Sequence, residues 1–305
     1  MMPRFKIDLQ VDYPGKPDRY YSLRLKQALK NEPVTYAMPK RLFVIADIEG
    51  HFQPFCKQLL KRRIIDKYLQ WTFGEGHLVI LGDCFLDSDA QAAECLWFIY
   101  SLEEQARKEG GYVHFILGNH KILTSEWRST HPRYAEQKAN SRKPITALYN
   151  GNTELWHWLQ TKNVIEKIGP LLFVHGGIPP AVNSLPQSLA EINDLARANY
   201  TNTGSSFTDT AHTLLFTAAD SPFYYQGYYD GTATSEQVDA TLAKFGVHTI
   251  ITGHTLQPEA TAYFDNKVIS VNINPESINA EGLFMMRKRI YRITKEGRRE
   301  KIKKG

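Results

Sequence analysis

The chain has 305 residues, 42% of them hydrophobic and 23% charged, with a formal net charge of +5. That balance suits a globular protein with a sizeable core and argues against a disordered or low-complexity chain. No apolar run approaches the ~20 residues of a membrane span, the opening MMPRFKIDLQ lacks an apolar signal core, and Cys56, Cys84 and Cys95 have no CxxC spacing; a soluble, cytoplasmic protein without a disulfide framework, a cysteine-zinc site or a membrane partner is expected.

In chain order, residues 1–40 are polar and rich in Tyr, Lys and Pro, an irregular lead-in with one helical candidate around Tyr21 to Lys30. Arg41 to Phe55, RLFVIADIEGHFQPF, reads as a buried strand delivering Asp47, followed by Glu49, a glycine turn and His51. Pro54 opens a helix to about Arg63, with Phe55, Leu59 and Leu60 at helical spacing. FGEGHLVILGD turns on Gly74 and Gly76 into a near-continuous apolar strand, the pattern of a strand covered on both faces. Ala90 to Lys108 is an amphipathic helix with Ala93, Leu96, Ile99, Leu102 and Ala106 on one stripe, ended by Gly110 and Gly111. YVHFILGNH is the third strand. This β-α-β-α-β order predicts right-handed crossovers and a largely parallel sheet whose carboxyl ends gather ligands.

The second half is more interrupted. Residues 122–165 read as a helical, aromatic-rich insertion, a short strand ends at His175, and Pro179 with Pro180 forces a loop. Ser188 to Tyr200, Asp209 to Ala218 and Ser235 to Phe245 are helices, and SPFYYQGYYDG is an aromatic loop. HTIITGH is another apolar strand, ATAYFDNKVISVNI folds back at Asp265 and Asn266, and GLFMMRKRIYRIT adds one or two strands, so a second sheet with antiparallel pairs is expected. Residues 295–305 form a basic tail. From Arg287 to Gly305 ten Lys or Arg face only Glu296 and Glu300, a charge of +8, which leaves −3 on the rest of the chain. Such a tail suits nucleic acid or an acidic surface; the plainer alternative is a solvated last strand with a frayed end. With no repeat or linker, residues 1–305 are read as one domain.

Five of these strands end on a metal-capable residue beside glycine: Asp47, Asp83 in LVILGD, Asn119 and His120 in VHFILGNH, His175 in LLFVHGG, and His254 in HTIITGH. Taken singly, an Asp at a strand end is an N-cap or a turn residue, and a His there is an ordinary hydrogen-bonded group. Five in series are the donor supply of a two-cation site, which needs a bridging carboxylate and oxygen and nitrogen ligands from separate elements. Asp83 suits the bridge. Asp47 and Glu49, two residues apart, point the same way and can close one cation; Asn119, His175 and His254 can close the other. His120 points away from Asn119, where a proton donor belongs.

The series D…GD…GNH…HGG…GHT resembles the calcineurin-like metallophosphoesterase superfamily. TELWHWLQTKNVIEKIGPLLFVHGGIPP, EINDLAR and SPFYYQGYYD are similar to its Shewanella-like phosphoprotein phosphatase branch. The resemblance, over about Arg41 to Asn274, implies an α/β fold: an α/β/β/α sandwich of two mixed sheets flanked by helices, with a helical insertion. It implies a dinuclear centre of Mn, Fe or Zn type and hydrolysis of phosphate esters by a metal-bridging hydroxide. By position, Asp47 and Glu49 match the ligands of the first metal, Asp83 the bridge, Asn119, His175 and His254 those of the second, and His120 the leaving-group acid. Leu256 stands where the wider superfamily has a further histidine. The family's DxH is here DIE, so Glu49 supplies an anion in place of imidazole and shifts preference towards harder cations such as Mn or Mg. Leu86 and Asp87 replace an Asp that orients the histidine and an Arg that binds phosphate, GNHE has become GNHK with Lys121, and Gln226 replaces a second phosphate-binding Arg. Lys121, Arg128 or Arg133 can substitute for these, and His51 is expected to line the pocket.

The reading is a metal-dependent phosphatase for phosphomonoesters of a protein or small molecule, with Mn as the expected cation. A degenerate metal- and phosphate-binding module is the alternative, because lost guanidiniums weaken transition-state stabilisation. A nucleotide or nucleic-acid phosphodiesterase is a third reading, carried by the basic tail and by Trp127, Tyr134, Tyr224 and Tyr225 as base-stacking groups.

Overall fold

The computed structural model describes residues 8–13, 16–84, 92–119, 153–200, 210–216, 221–272, 282–286, 289–294 and 297–304. Its frame is a pair of sheets. The six-stranded sheet runs, in spatial order, Arg299–Glu300 (β14), Arg289–Ile293 (β13), Gly282–Met286 (β12), Arg41–Ala46 (β4), His77–Leu81 (β5) and Tyr112–Ile116 (β6). The seven-stranded sheet runs Lys303–Lys304 (β15), Thr261–Tyr263 (β10), Val268–Ser270 (β11), Thr249–Thr252 (β9), Leu171–Val174 (β8), Ile165–Ile168 (β7) and Thr35–Tyr36 (β3). Asp8–Tyr13 (β1) and Lys16–Arg24 (β2) form a separate antiparallel pair.

Period-two alternation in β4 decides the layering. Leu42 and Val44 join Val79, Leu81, Phe173 and Ile251 in an apolar cluster drawn from both sheets, which is the interior of the sandwich. Phe43 and Ile45 point the other way, into the cluster with Phe55, Leu59, Leu96 and Phe98 of the helices Phe52–Lys61 (α1) and Ala92–Lys108 (α2). Both faces of β4 are therefore dry, and each fully buried Leu, Ile or Phe contributes about 1.5–3 kcal/mol. β4, β5 and β6 are parallel, as β-α-β-α-β requires, while β12 and β13 close the sheet antiparallel beside β4.

The remaining helices are Glu154–Gln160 (α3), Pro180–Asn183 (α4), Leu189–Asn199 (α5), Thr210–Phe216 (α6), Gly227–Asp230 (α7) and Ser235–Phe245 (α8). α5 and α8 begin with capping boxes, Ser188 with Glu191 and Thr234 with Gln237, and Gly246 in the left-handed region ends α8.

One expectation changes, and two more elements gain strand partners. Residues 8–13 and 16–24 pair as antiparallel strands in place of an irregular lead-in with a helix: Tyr21 and Leu23 are buried while Tyr20, Ser22 and Arg24 are exposed, a strand's alternation. The strand ending at His175 has a partner, β7, which pairs antiparallel with β8 across the Gly169–Pro170 turn. The basic tail carries a strand on each sheet, β14 on β13 and β15 on β10, with Glu300 on Arg292 and Lys304 on Asp265. Of the proposed helical insertion, α3 and the chain from 153 lie within the described residues; 122–152 lie outside them.

Behind α2 the chain buries an ionic network. Lys162 Nζ lies 2.7 Å from Glu103 and 2.9 Å from Glu32, Lys26 also pairs with Glu103, and Trp158 Nε1 donates to Glu103 at 2.8 Å. This network fixes the extended segment 26–33 to α2 and α3. Burial by itself would raise the Glu103 carboxyl, but the Lys162 and then the Lys26 ammonium outweigh it and hold it down at about 2. A cleft of about 450 Å³ alongside is lined by Lys30, Arg107, Tyr112 and Trp158, among others, and by none of the strand-end residues.

Candidate metal centre

The strand-end residues come from both sheets. Asp47 follows β4, Asp83 follows β5 and Asn119 follows β6 in one sheet; His175 follows β8 and His254 follows β9 in the other. All leave from carboxyl ends, so the two sheets present one shared corner rather than the single parallel edge expected. Backbone bonds stitch that corner. Glu49 N–H donates to the Asp83 carbonyl at 3.0 Å, Gly50 N–H to Cys84 at 2.8 Å, and Gly253 N–H to His175 at 2.8 Å. The tie between sheets is His254 N–H, which donates to Asp47 Oδ2 at 3.2 Å.

The corner is strained as well as crowded. Asp47, Glu49 and His254 all have φ in the left-handed region, at 46°, 47° and 58°, which costs roughly 1–2 kcal/mol per non-glycine residue. Two of the motif glycines leave space another ligand occupies. A Cβ on Gly82 would fall 1.7 Å from His175 Nδ1, and one on Gly118 would fall 2.1 Å from Asp83 Oδ1.

The ligand atoms of Asp83, His175 and His254 lie within 4.8 Å of one another. His175 Nε2 is 3.4 Å from Asp83 Oδ2 and 2.8 Å from Asn119 Oδ1. Asp47, Asp83 and His175 are nearly inaccessible, at 3%, 3% and 0% exposure. Burial, together with the Asp83 and Glu49 carboxylates, raises the Asp47 carboxyl far above its ordinary range despite the opposing His175. Burial alone would depress His175, but Asp83 and Asp47 raise it. Its Nδ1 is a buried nitrogen with no hydrogen-bond partner among the described residues. Crowded buried carboxylates, an imidazole Nε2 and an amide oxygen facing one point make a donor set that fits a divalent cation of hard to borderline character.

Glu49 is half-buried beside Asp47, and His51 is half-buried at the N-cap of α1. Neither belongs to the three-residue cluster among the described residues. Gln226 Nε2 stands 3.5 Å from His254 Nε2, at the rim. Leu256 is 60% exposed, turned to solvent. His120, Lys121, Arg128 and Arg133, and with them Leu86, Asp87, Trp127 and Tyr134, lie outside the described residues. Of the aromatics considered for base stacking, Tyr225 is 5% exposed and packs against Tyr228, so its faces are taken. Tyr224 is a site residue that the sequence offered only as a stacking group: its ring meets His254 edge-on at 5.9 Å. Burial and then the Asp83 charge push its phenol up to about 12.

The three cysteines, far apart in sequence, converge beneath Asp83. Cys84 and Cys95 are within hydrogen-bonding reach and Cys56 adjoins; all are free and fully buried.

The calcineurin-like phosphoesterase family matches residues 40–258. A cold-active protein-tyrosine phosphatase of a psychrophilic Shewanella species is 35% identical, with a TM-score of 0.84 over 97% of this chain and 90% of that one. Shewanella-like protein phosphatase 2 of Arabidopsis thaliana is 30% identical over 91 residues, a stretch spanning 30% of this chain and 23% of that protein. A Saccharomyces cerevisiae protein serine/threonine phosphatase shares the fold at 15% identity, with a TM-score of 0.52 over 86% of this chain and 77% of that one. No described helix is long and apolar enough to cross a membrane. The chain belongs to the calcineurin-like phosphoesterase family and is a hydrolase of phosphoesterase type.

Proposed function

We propose that this protein is a phosphomonoesterase built on a pair of divalent cations, with Mn as the first candidate and Fe, Zn or Mg as alternatives. The observation that carries the reading is the convergence of Asp83, His175 and His254 within 4.8 Å, with Asn119 and Asp47 adjoining, at a corner supplied by both sheets. Bound there, divalent cations would neutralise phosphoryl charge and make water an effective nucleophile near neutral pH. Asp47, Glu49, Asp83, Asn119, His175 and His254 are the residues that would hold the cations. His254 is doubly fixed, by its own N–H on Asp47 and by its carbonyl, which accepts from Asn272 Nδ2 at 2.7 Å. His120, next in sequence to Asn119, is assigned the proton for the leaving alcohol, and His51 the pocket wall; Lys121, Arg128 and Arg133 are the candidate phosphate cations. The substrate class is a phosphorylated protein or small molecule; the likeness to a Shewanella protein-tyrosine phosphatase favours phosphotyrosine among phosphoproteins.

The test is turnover of an aryl phosphate by protein loaded with Mn, Mg or Zn, beside Asp83→Asn and His120→Ala. Activity at least 100-fold above both variants is expected. Activity no higher than theirs on any monoester would leave the second reading, a metal- and phosphate-binding module, which the neutral Gln226 beside His254 favours.

A further inference from the structure

The end of α1 away from the metal corner carries an arginine that its helix uses only in part. Arg62, the C-cap, turns back so that Nη1 donates to the Gln58 carbonyl at 3.0 Å, and its guanidinium lies 5.0 Å above the Phe43 ring. Nε and Nη2, the parallel donors of the other edge, are buried and have no hydrogen-bond partner among the described residues. Gln58, one turn earlier on the same helix face, is 1% exposed, and neither its Oε1 nor its Nε2 has a partner there. Burial lowers the Arg62 guanidinium to about 10 with no neighbouring carboxylate to oppose it. Buried polar groups are as a rule hydrogen-bonded, and a fork of donors beside an amide with both ends unmatched is a recognition surface for something polar.

A second guanidinium stands close by. The Phe43 ring lies over β12, because a Cβ on Gly282 would fall 2.7 Å from its Cζ. Two residues along that strand Phe284 faces the same side, and Arg299 of β14 lies 4.5 Å above its ring. The guanidiniums of Arg62 and Arg299 therefore cover positions about 7 Å apart on one strand, a span that a tetrahedral anion accepting from both can bridge. Arg299 is exposed, and neither arginine forms an ion pair with a described carboxylate. Glu300, next in sequence, is turned to Arg292 instead. The floor under both cations is aromatic, which weakens their competition with water and strengthens a charge-assisted bond.

The donors and the acceptor together select the ion. Guanidinium edges take an oxyanion, while Gln58 Oε1 needs a hydrogen to accept. Sulfate and carboxylates have none to give; hydrogen phosphate has bare oxygens and one O–H. The Arg62 edge lies beneath the surface, so the occupant is a small free ion and not a phosphorylated segment of chain.

We infer that Arg62, Arg299 and Gln58 form a second, metal-independent site for inorganic phosphate on the outer face of the six-stranded sheet, with the guanidiniums on its bare oxygens and its O–H on Gln58 Oε1. The ten residues of α1 separate this site from His51 at the metal corner, about 15 Å away. It stands whether or not the corner hydrolyses esters; if the corner does, the ion bound here is the product of that reaction.

The experiment follows the arginine side-chain Nε–H signals of the full, Mg-loaded chain by ¹⁵N NMR as phosphate or sulfate is added at constant ionic strength. Arg62→Lys and Arg299→Gln assign the two signals, and Arg299, being exposed, can be replaced without disturbing the fold. Expected are shifts of both signals on one curve with half-saturation at about 1 mM phosphate, sulfate weaker by at least about 10-fold, and a loss of about 10-fold in phosphate affinity, read at Arg62, in Arg299→Gln. An Arg62 signal unmoved by phosphate at about 20 times that concentration would refute the site. Equal curves for phosphate and sulfate would mean an adventitious ion only, and an Arg62 curve indifferent to Arg299→Gln would overturn the two-arginine site. Because each signal reports its own arginine, a failure of phosphatase turnover at the corner sinks that reading and leaves this titration to decide the second site.

Discussion

Glu103→Gln tests the buried ionic network and leaves the metal corner alone. Glu103 is 2% exposed and receives Lys162 at 2.7 Å, Lys26, and Trp158 Nε1 at 2.8 Å. Glutamine keeps the shape and an acceptor but removes the charge, so Lys26, at 7% side-chain exposure, loses its carboxylate while Lys162 keeps Glu32. Stranding a buried ammonium costs about 3–5 kcal/mol, and the retained partner places this variant at the lower end. An independent route agrees. A carboxyl at about 2 in the folded chain against ~4.3 unfolded corresponds to about 3 kcal/mol of stabilisation. With roughly 2.1 cal/mol/K of unfolding entropy per residue, 305 residues convert that loss to a melting drop of about 5 °C. The pH dependence follows from the depressed pKa. This stabilisation is fully present above the unfolded value of ~4.3 and is lost as pH falls towards about 2, where the folded group protonates. Melting of wild type and variant from pH 7 to pH 2.5 is the assay; the gap should narrow on the acid side, with metal content at pH 7 unchanged. A gap below about 1 °C at pH 7, or one that stays constant down to pH 2.5, would refute the reasoning.

Gly82→Ala should displace the His175 ring, because the added methyl would sit 1.7 Å from Nδ1 on a backbone with φ of 90°; a loss of at least ~10-fold in Mn affinity, with about 2–4 kcal/mol of stability, is expected by metal titration and denaturant melts. Glu49→Ala should lower the cation content by about one per chain by elemental analysis, and an unchanged count would shift that ligand position to His51. Truncation after Thr294 removes β14 and β15 and takes Glu300 from Arg292, 2.8 Å away. About 1–2 kcal/mol of lost stability and more aggregation are expected, with retention on DNA and RNA columns unchanged; loss of retention would revive the tail as a nucleic-acid arm.

The metal corner was legible because its chemistry sits where sequence pattern is strongest, an apolar run stopped by Gly with Asp, Asn or His. Its division between two sheets was not, since Val174 and Leu81 read alike whichever sheet they enter. The strand pair at residues 8–13 and 16–24 carried a period-two signal in Tyr21 and Leu23, hidden by charged and tyrosine-rich surroundings. β7 was hidden because Glu166 interrupts its apolar run, and Glu166 is buried only through His114, 2.7 Å away, and Asn163 Nδ2 at 2.8 Å. Such pairs have no local signature, and neither do Glu103 with Lys162. Tyr224 could have been found from the HGG triplet: two glycines after a ligand mean that another backbone lies against them.

The place of β12 has a consequence for how the chain is made. β4, the first strand to leave the ribosome in its sheet, is hydrogen-bonded on one side to β5 but on the other to β12, with Leu283 opposite Val44. All the strand-end donors are synthesised by His254, so the corner can gather while one margin of β4 still waits for its neighbour. Until residue 286 emerges, a nascent chain carries that margin bare, and it is a run of Leu, Phe, Val and Ile. Newly made protein is therefore most exposed to faulty strand pairing between the completion of its chemistry and the completion of its sheet.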